Sequence, residues 1–379
     1  MKIDRPTVSD PALQPIAEKV MAGEWLNLDD GLALYSTRDL HGVGRLANYV
    51  RESLHGRQTF YNRNRHINYT NICALSCKFC SFYRKRGEDG AYEMPVDQVI
   101  ETAKKAADGG ATEVHIVGGL HPWLKFDYYT DMLSGIRREC PQLHIKAFTA
   151  IEIIHLSRVA RMTIAEVLIA LRDAGLGSLP GGGAEIFDDR VHDEIFKGKV
   201  REDRWFEVHR TAHLLGIFTN ATMLYGHVET PAERVNHLLK LRDLQAESVS
   251  NAAGASFNCV IPLSFIPEQS ELGHLPGPTG LTDLRTLAIA RLMLNNISHI
   301  KAFWIMQGIG LSQLSLDWGV DDLDGTVVWY DITKREGGGK THQEFHVKDI
   351  QRLIREAGKE PVERDTLYRP IHRENLVAV

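Results

Sequence analysis

A (β/α)8 barrel of the TIM type, with an N-terminal helical extension and a C-terminal extension, is the fold class this sequence predicts. Three observations predict it. From Ile67 onward, short apolar strand-like runs alternate with patterns of helical period. Eight such units over roughly 260 residues match the size of one barrel. The unusual motifs fall where these strands end, which is where a barrel gathers its functional groups. An open doubly wound sheet is the alternative that alternation alone leaves standing.

Taken in order, residues 1–60 read as helical, with Asp29 or Asp30 placed to cap a short helix. A first strand runs through Ile67. Pro95 opens a helix whose apolar face is Val96, Val99, Ile100, Ala103 and Ala107, and Gly109-Gly110 closes it. The run 113–117 is a buried strand that stops at Gly118-Gly119. Further strands are predicted at 143–148, 177–179, 218–223, 257–261 and 299–304, and near 326–328. Thr163 with Glu166, and Thr230 with Glu233, are capping-box starts of intervening helices. The chain thus divides into 1–60, a barrel core 61–335 and a C-terminal extension 336–379, with a polar insertion at 248–256.

The 379 residues are 43% hydrophobic and 25% charged, which suits a globular chain with a sizeable core. A net charge of -5 gives no reason to expect nucleic acid or an anionic membrane as partner. No segment approaches the roughly 18 apolar residues of a membrane span. The opening residues carry no apolar secretory run, so a reducing cytoplasm is the expected location.

Cys73, Cys77 and Cys80 stand three and then two residues apart, with Phe79 before the last. Three thiolates on one tight loop suit three irons of a [4Fe-4S] cluster and leave the fourth iron open to a small molecule. A structural zinc site normally closes with four protein ligands. Only Cys140 and Cys259 remain, single and widely separated. A disulfide framework belongs to short secreted chains. Spacing and aromatic together resemble the signature of the radical S-adenosylmethionine enzymes, in which the open iron chelates the methionine end of the cofactor.

Other stretches carry the resemblance further. Gly118-Gly119-Leu120-His121-Pro122 resembles the glycine–glycine motif of that family, with Leu120 in place of its usual acidic residue. Glycine there lets a ligand approach the backbone. Pro180-Gly-Gly-Gly-Ala-Glu185 supplies a carboxylate for the adenosine ribose or the methionine ammonium. In Thr222-Met-Leu-Tyr-Gly-His-Val-Glu229, Leu224 and Gly226 match the adenine-contacting motif, and Glu229 supports the turn. The cofactor-binding set is therefore Phe79, Gly118, Gly119, Glu185, Leu224 and Gly226.

Across nearly the whole chain the sequence resembles the aminofutalosine synthases of menaquinone biosynthesis. The stretches that carry this include Asn62-Arg-Asn-Arg-His-Ile-Asn, His144-Ile-Lys-Ala-Phe-Thr-Ala and Asp321-Asp-Leu-Asp-Gly-Thr-Val. The resemblance implies a consumed S-adenosylmethionine, one [4Fe-4S] cluster and a low-potential electron donor such as flavodoxin or ferredoxin. It also implies addition of the 5′-deoxyadenosyl radical to 3-[(1-carboxyvinyl)oxy]benzoate. A substrate with two carboxylates asks for hydrogen-bond donors at the barrel mouth. Asn68 and Lys146 are nominated as substrate contacts, and His121, His227 and Arg291 as catalytic residues. The histidines adjoin the cofactor motifs. Arg291 lies on an apolar helical face with Leu284, Leu287, Ala288 and Leu292 and needs a partner, either substrate or a carboxylate. Arg63, Arg65 and His66 are further candidates. The rival readings are the hydrogen-abstracting cyclic dehypoxanthine futalosine synthase and a non-catalytic metal-cluster scaffold.

Overall fold

The computed structural model describes residues 5–196, 200–327, 332 and 344–373. Ten strands in these residues form two sheets: β1 Gln58–Asn62, β2 Asn64–Ile67, β3 Glu113–Ile116, β4 His144–Ala147, β5 Ser178–Leu179, β6 Phe218–Tyr225, β7 Phe257–Ser264, β8 His299–Ile300, β9 Asp322–Gly325 and β10 Glu360–Glu363. Strands β2 to β8 pair in sequence order, and every pairing is parallel. Parallel neighbours need a crossover, and helices such as Val96–Asp108, Phe126–Glu139 and Gly280–Met293 supply it. The barrel class predicted from alternation therefore holds.

The closing strand differs from the expectation near 326–328. It is β9, it pairs with β1, and β1 pairs in turn with β10 in a three-stranded parallel sheet. Val328 lies outside the described residues. Asp324 and Val327 both take positive φ, near 61°, which breaks the extended geometry a longer strand needs. Gly325 permits the close approach: a Cβ there would stand 2.2 Å from the Asn62 carbonyl oxygen. The segment still bridges the two ends of the larger sheet. Ala302 N donates to Asp322 O at 2.9 Å beside β8, and His66 N donates to Val327 O at 3.0 Å on β2.

The N-terminal helices are Gln14–Ala22, Leu28–Ser36 and Leu40–His55. The cap expected at Asp29 or Asp30 is Asn27, with Asp30 completing the capping box from the third helical position. This extension is fastened to the barrel helices by arginines that spend their N–H groups on its backbone carbonyls, in a loop and at a helix end. Arg242 Nη1 reaches Leu26 O at 2.6 Å, and Arg285 Nη1 reaches Leu34 O at 2.8 Å and Thr37 O at 2.9 Å. At the other end, β10 follows the helix Val347–Glu356, and buried Arg364 Nε meets Asp322 Oδ2 at 2.6 Å.

Candidate active site

A cavity of about 310 Å³ opens at the carboxyl ends of the barrel strands and runs down between them. Its mouth is the loop after β2. That loop is folded back on itself by Cys73 N to Arg84 O at 3.1 Å, and on the next loop by Ala74 N to Leu120 O at 2.9 Å. Lys85 Nζ donates to Cys73 O at 2.9 Å and Leu75 O at 2.8 Å, so an ammonium fixes the first turn. Cys73, Phe79 and Cys80 line the cavity. Burial pushes the Cys80 thiol up, so a metal has to displace its proton to bind the thiolate.

The cysteines suit a cluster better than a single ion. All five in the chain are free. Three thiolates on one tetrahedral zinc, with Zn–S bonds of about 2.3 Å, would lie roughly 3.8 Å apart. Among the described residues the one His/Cys/Asp/Glu group whose ligand atoms all lie within 4.8 Å is His55, His299 and Asp321, not the cysteines. Three cysteines on one loop, with the other two single and distant in sequence, fit one thiolate per iron of a cluster.

The loop after β3 is tied to this mouth by a residue the sequence reading missed. Buried Glu152 accepts from Gly118 N at 3.0 Å, Tyr69 Oη at 2.9 Å and Thr149 N at 2.7 Å. Burial pushes its pKa up to about 7 even with these donors. The signal was present: Thr149 and Glu152 form a capping box directly after β4. Gly118 and Gly119 line the cavity as expected. Their lack of a side chain is used first by the protein, because a Cβ on Gly119 would stand 2.4 Å from Ile72 O in the cysteine loop. Likewise a Cβ on Gly181 would meet the Ala221 backbone of β6. Glu185 lines the cavity at φ 50°, in the left-handed region, and its carbonyl is held by Leu224 N at 3.0 Å. Leu224 also lines the cavity. Gly226 does not; its φ of 93° serves a turn in which Gly226 N donates to Glu229 Oε1 at 2.6 Å.

The three residues nominated as catalytic are not brought to the cavity. His121 Nδ1 accepts from Trp123 N at 3.2 Å and Leu124 N at 3.1 Å, and its Nε2 lies 2.8 Å from Glu93 Oε2. His227 Nε2 donates to Leu224 O at 2.9 Å, and its Nδ1 accepts from Val228 N at 2.8 Å. Burial lowers the pKa of both imidazoles, so both are neutral braces of turns. Arg291 does not line the cavity and has no carboxylate among its hydrogen-bond partners. Fully buried, it donates to the carbonyls of Leu294, Ile297 and Ser298, with Ile297 O at 2.6 Å and Ser298 O at 3.0 Å. Proximity in sequence to a motif placed the histidines near the site but could not say which way their nitrogens turn. Asn68 also stays off the cavity wall, with Nδ2 donating to Val117 O at 3.0 Å.

Lys146 does line the cavity, at its floor, with Nζ 2.6 Å from Glu113 Oε1. Around it stand groups that the sequence reading named only in part: His66, His115, Lys301 and Asp324. His66, His115 and Lys146 share one register across β2, β3 and β4. The two imidazoles stack, with centroids 4.4 Å apart and planes at 18°. Burial lowers both, His66 to about 4, so both are neutral at pH 7. Lys301 Nζ meets Asp324 Oδ1 at 2.9 Å. Burial works against the Lys301 ammonium, but Asp324 and Asp322 outweigh it and raise its pKa. Between floor and mouth the wall is apolar, including Ile261, Leu263 and Phe303.

Comparison with known proteins agrees with this geometry. Residues 67–241 match the radical SAM superfamily, and residues 252–376 match the CofH/MqnC C-terminal region. Aminodeoxyfutalosine synthase of Thermus thermophilus is 47% identical over 96% of this chain and 97% of its own length. Its namesake from Streptomyces coelicolor is 41% identical over 93% of this chain and 92% of its own length. The 5-amino-6-(D-ribitylamino)uracil–L-tyrosine 4-hydroxyphenyl transferase of Methanopyrus kandleri is 36% identical, covering 97% of this chain and 99% of the transferase. The crystal structure of methylornithine synthase shares the fold, with a TM-score of 0.71 at 20% identity over 91% of this chain and 96% of that one. No helix among the described residues is long and apolar enough to cross a membrane. With a cysteine loop suited to a [4Fe-4S] cluster at the mouth of a barrel, and relatives of this identity over nearly its full length, the chain belongs to the aminodeoxyfutalosine synthase family of radical S-adenosylmethionine enzymes.

Proposed function

We propose that the chain adds the 5′-deoxyadenosyl radical of S-adenosylmethionine to the enol-ether double bond of 3-[(1-carboxyvinyl)oxy]benzoate. Water is consumed, the products are 6-amino-6-deoxyfutalosine, methionine and bicarbonate, and the step belongs to menaquinone biosynthesis. The observation that carries the reading is the 47% identity to an aminodeoxyfutalosine synthase across 96% of the chain. The bound cluster, reduced by a donor such as flavodoxin or ferredoxin, supplies the one electron that cleaves the sulfonium.

The remaining work falls to the chain. Cys73, Cys77 and Cys80 would hold three irons of the cluster, leaving the fourth for the methionine end of the cofactor. The backbone at Gly118-Gly119 and the Glu185 carboxylate hold the amino-acid and ribose parts. Phe79 and Leu224 give the adenine an apolar seat. Ile261, Leu263 and Phe303 keep water and other hydrogen donors from the radical carbon. Lys146 contacts a substrate carboxylate.

Carbon-labelled cofactor tests the reading. With dithionite and the enol-ether benzoate, the 5′ label is expected in a product containing adenine, ribose and the benzoate ring. Methionine should be released in about equal amount. Label recovered almost entirely as free 5′-deoxyadenosine would favour the hydrogen-abstracting relative instead. A second reading, 4-hydroxyphenyl transfer from L-tyrosine to the ribitylaminouracil, draws on the 36% identity to the Methanopyrus transferase. Cofactor cleavage that depends on tyrosine and the uracil, and is indifferent to the benzoate, would select it.

A further inference from the structure

The floor of the cavity holds more hydrogen-bond donors than the protein uses. An ammonium has three N–H donors. Lys146 is ion-paired with Glu113 Oε1 at 2.6 Å, Lys301 donates to Asp324 Oδ1 at 2.9 Å, and neither ammonium has another partner among the described residues. Both side chains are almost wholly buried, at 2% and 3% residue exposure, and both line the cavity. His115 stacks on His66 and faces the cavity, and neither of its ring nitrogens has a hydrogen-bond partner among the described residues.

The acceptors opposite are largely taken. Glu113 receives Lys146 on one oxygen and Thr366 Oγ1 on the other at 2.7 Å. Asp324 Oδ1 receives Lys301 and also Asn64 Nδ2 at 3.4 Å. Buried donors are normally satisfied, so a set of unspent ones around a single space makes a seat for acceptors, which an acceptor-rich ligand group can take from water. His66 and His115 each feel both ammoniums, which places the two lysines around the same imidazole pair.

We propose that this floor receives the ring carboxylate of an aryl acid, with Lys146, Lys301 and His115 donating to it. The inference rests on the substrate class proposed above and adds its orientation. The cavity runs from Cys73 and Cys80 at one end to Lys301 and Asp324 at the other. In the enol-ether benzoate the vinyl carboxylate adjoins the reacting alkene, which must face the mouth. The ring carboxylate is the remote anion and therefore the one that points down. A carboxylate is acceptor-only, with about four lone-pair sites, and matches a floor of donors.

The test is equilibrium binding to cluster-loaded, unreduced enzyme in the presence of S-adenosylmethionine. The two probes are 3-[(1-carboxyvinyl)oxy]benzoate and its ring carboxamide. Wild type should prefer the acid by about tenfold or more, the scale of hydrogen bonds to a charged group. Two variants should lose most of that preference, because the acid weakens more than the carboxamide, which accepts there through its carbonyl oxygen alone. Lys301→Met with Asp324→Asn removes both partners of the ion pair and leaves no bare buried charge. His115→Phe keeps the ring stack on His66 and removes only the N–H. The acid preference surviving in both variants, or acid and carboxamide weakening equally, overturns the proposal while the substrate reading stands on wild-type binding and product formation. Wild type binding neither probe overturns both.

Discussion

Around the mouth, behind the cavity wall except for Glu152, the residues Lys85, Glu152, His121 and His227 give their polar groups to neighbouring loops and turns. At the floor, Lys146, Lys301 and His115 keep donors facing the cavity. Both regions are polar, both lie inside one barrel, and both resemble an active site when residue types alone are considered. The difference is in what the side chains are spent on. A mouth whose loops are already fastened presents a cradle shaped in advance, which lowers the ordering cost of binding a cofactor of constant shape. A floor with unspent donors is incomplete until its ligand arrives, and so discriminates between ligands: an analogue without the acceptor leaves buried N–H groups unpaired.

The largest expected effect tests whether the mouth is a cradle independent of its cargo. Replacing Cys73, Cys77 and Cys80 together by Ala should give, after anaerobic reconstitution, protein without the visible absorption of a [4Fe-4S] cluster. The melting transition should match that of wild-type apo protein, because Arg84, Lys85 and Leu120 hold the loop without metal. Full iron occupancy in that variant would remove the cysteines from their role. Collapse of the transition would show that the cysteine side chains themselves, and not Arg84, Lys85 and Leu120, hold the loop.

An intermediate effect sharpens the part played by Glu152. Its folded-state pKa of about 7 lies above the ordinary 4.5 of a glutamate. The folded protein therefore holds a proton that the unfolded chain releases in between. That stabilisation is complete below about pH 4.5 and is lost as pH rises through 7, by up to about 3 kcal/mol. In Glu152→Gln the contribution is absent at every pH. The stability difference between wild type and variant, measured by urea unfolding of apo protein from pH 4.5 to 8, should shift against wild type by that order. A difference independent of pH would mean the buried carboxyl titrates alike in both states.

The smallest effect could break the comparison. His227→Gln removes bonds within a turn and should cost about 1–2 kcal/mol of stability. Affinity for the enol-ether benzoate should stay at the wild-type value, because His227 is absent from the cavity wall. Weaker substrate binding with unchanged stability would move this histidine from the braces to the ligand contacts.

Much of this was legible before any coordinates. The barrel follows from period and alternation, because each strand and helix declares its buried face locally. The cysteine loop is legible because its ligands are contiguous. Glu185 and Leu224 reach the cavity as the motif resemblance implied. His121, His227 and Arg291 were misjudged for one shared reason. A polar residue beside a motif, or on an apolar face, shows that it needs a partner, and only the fold reveals that the partner is a backbone carbonyl or N–H. Glu152 was overlooked because a capping-box glutamate reads as a helix start and nothing more.

By itself, then, the sequence determined the order of elements, the parallel barrel and the loop that holds the cluster, all of which depend on near neighbours in the chain. Only the tertiary structure decided the floor. Lys146 pairs with Glu113, which also binds Thr366, and Lys301 pairs with Asp324 beside Asn64. These groups come from both ends of the chain and meet because closing a sheet brings distant strands side by side. Whether a buried charge is spent or available depends on those long-range meetings, and no local pattern encodes them.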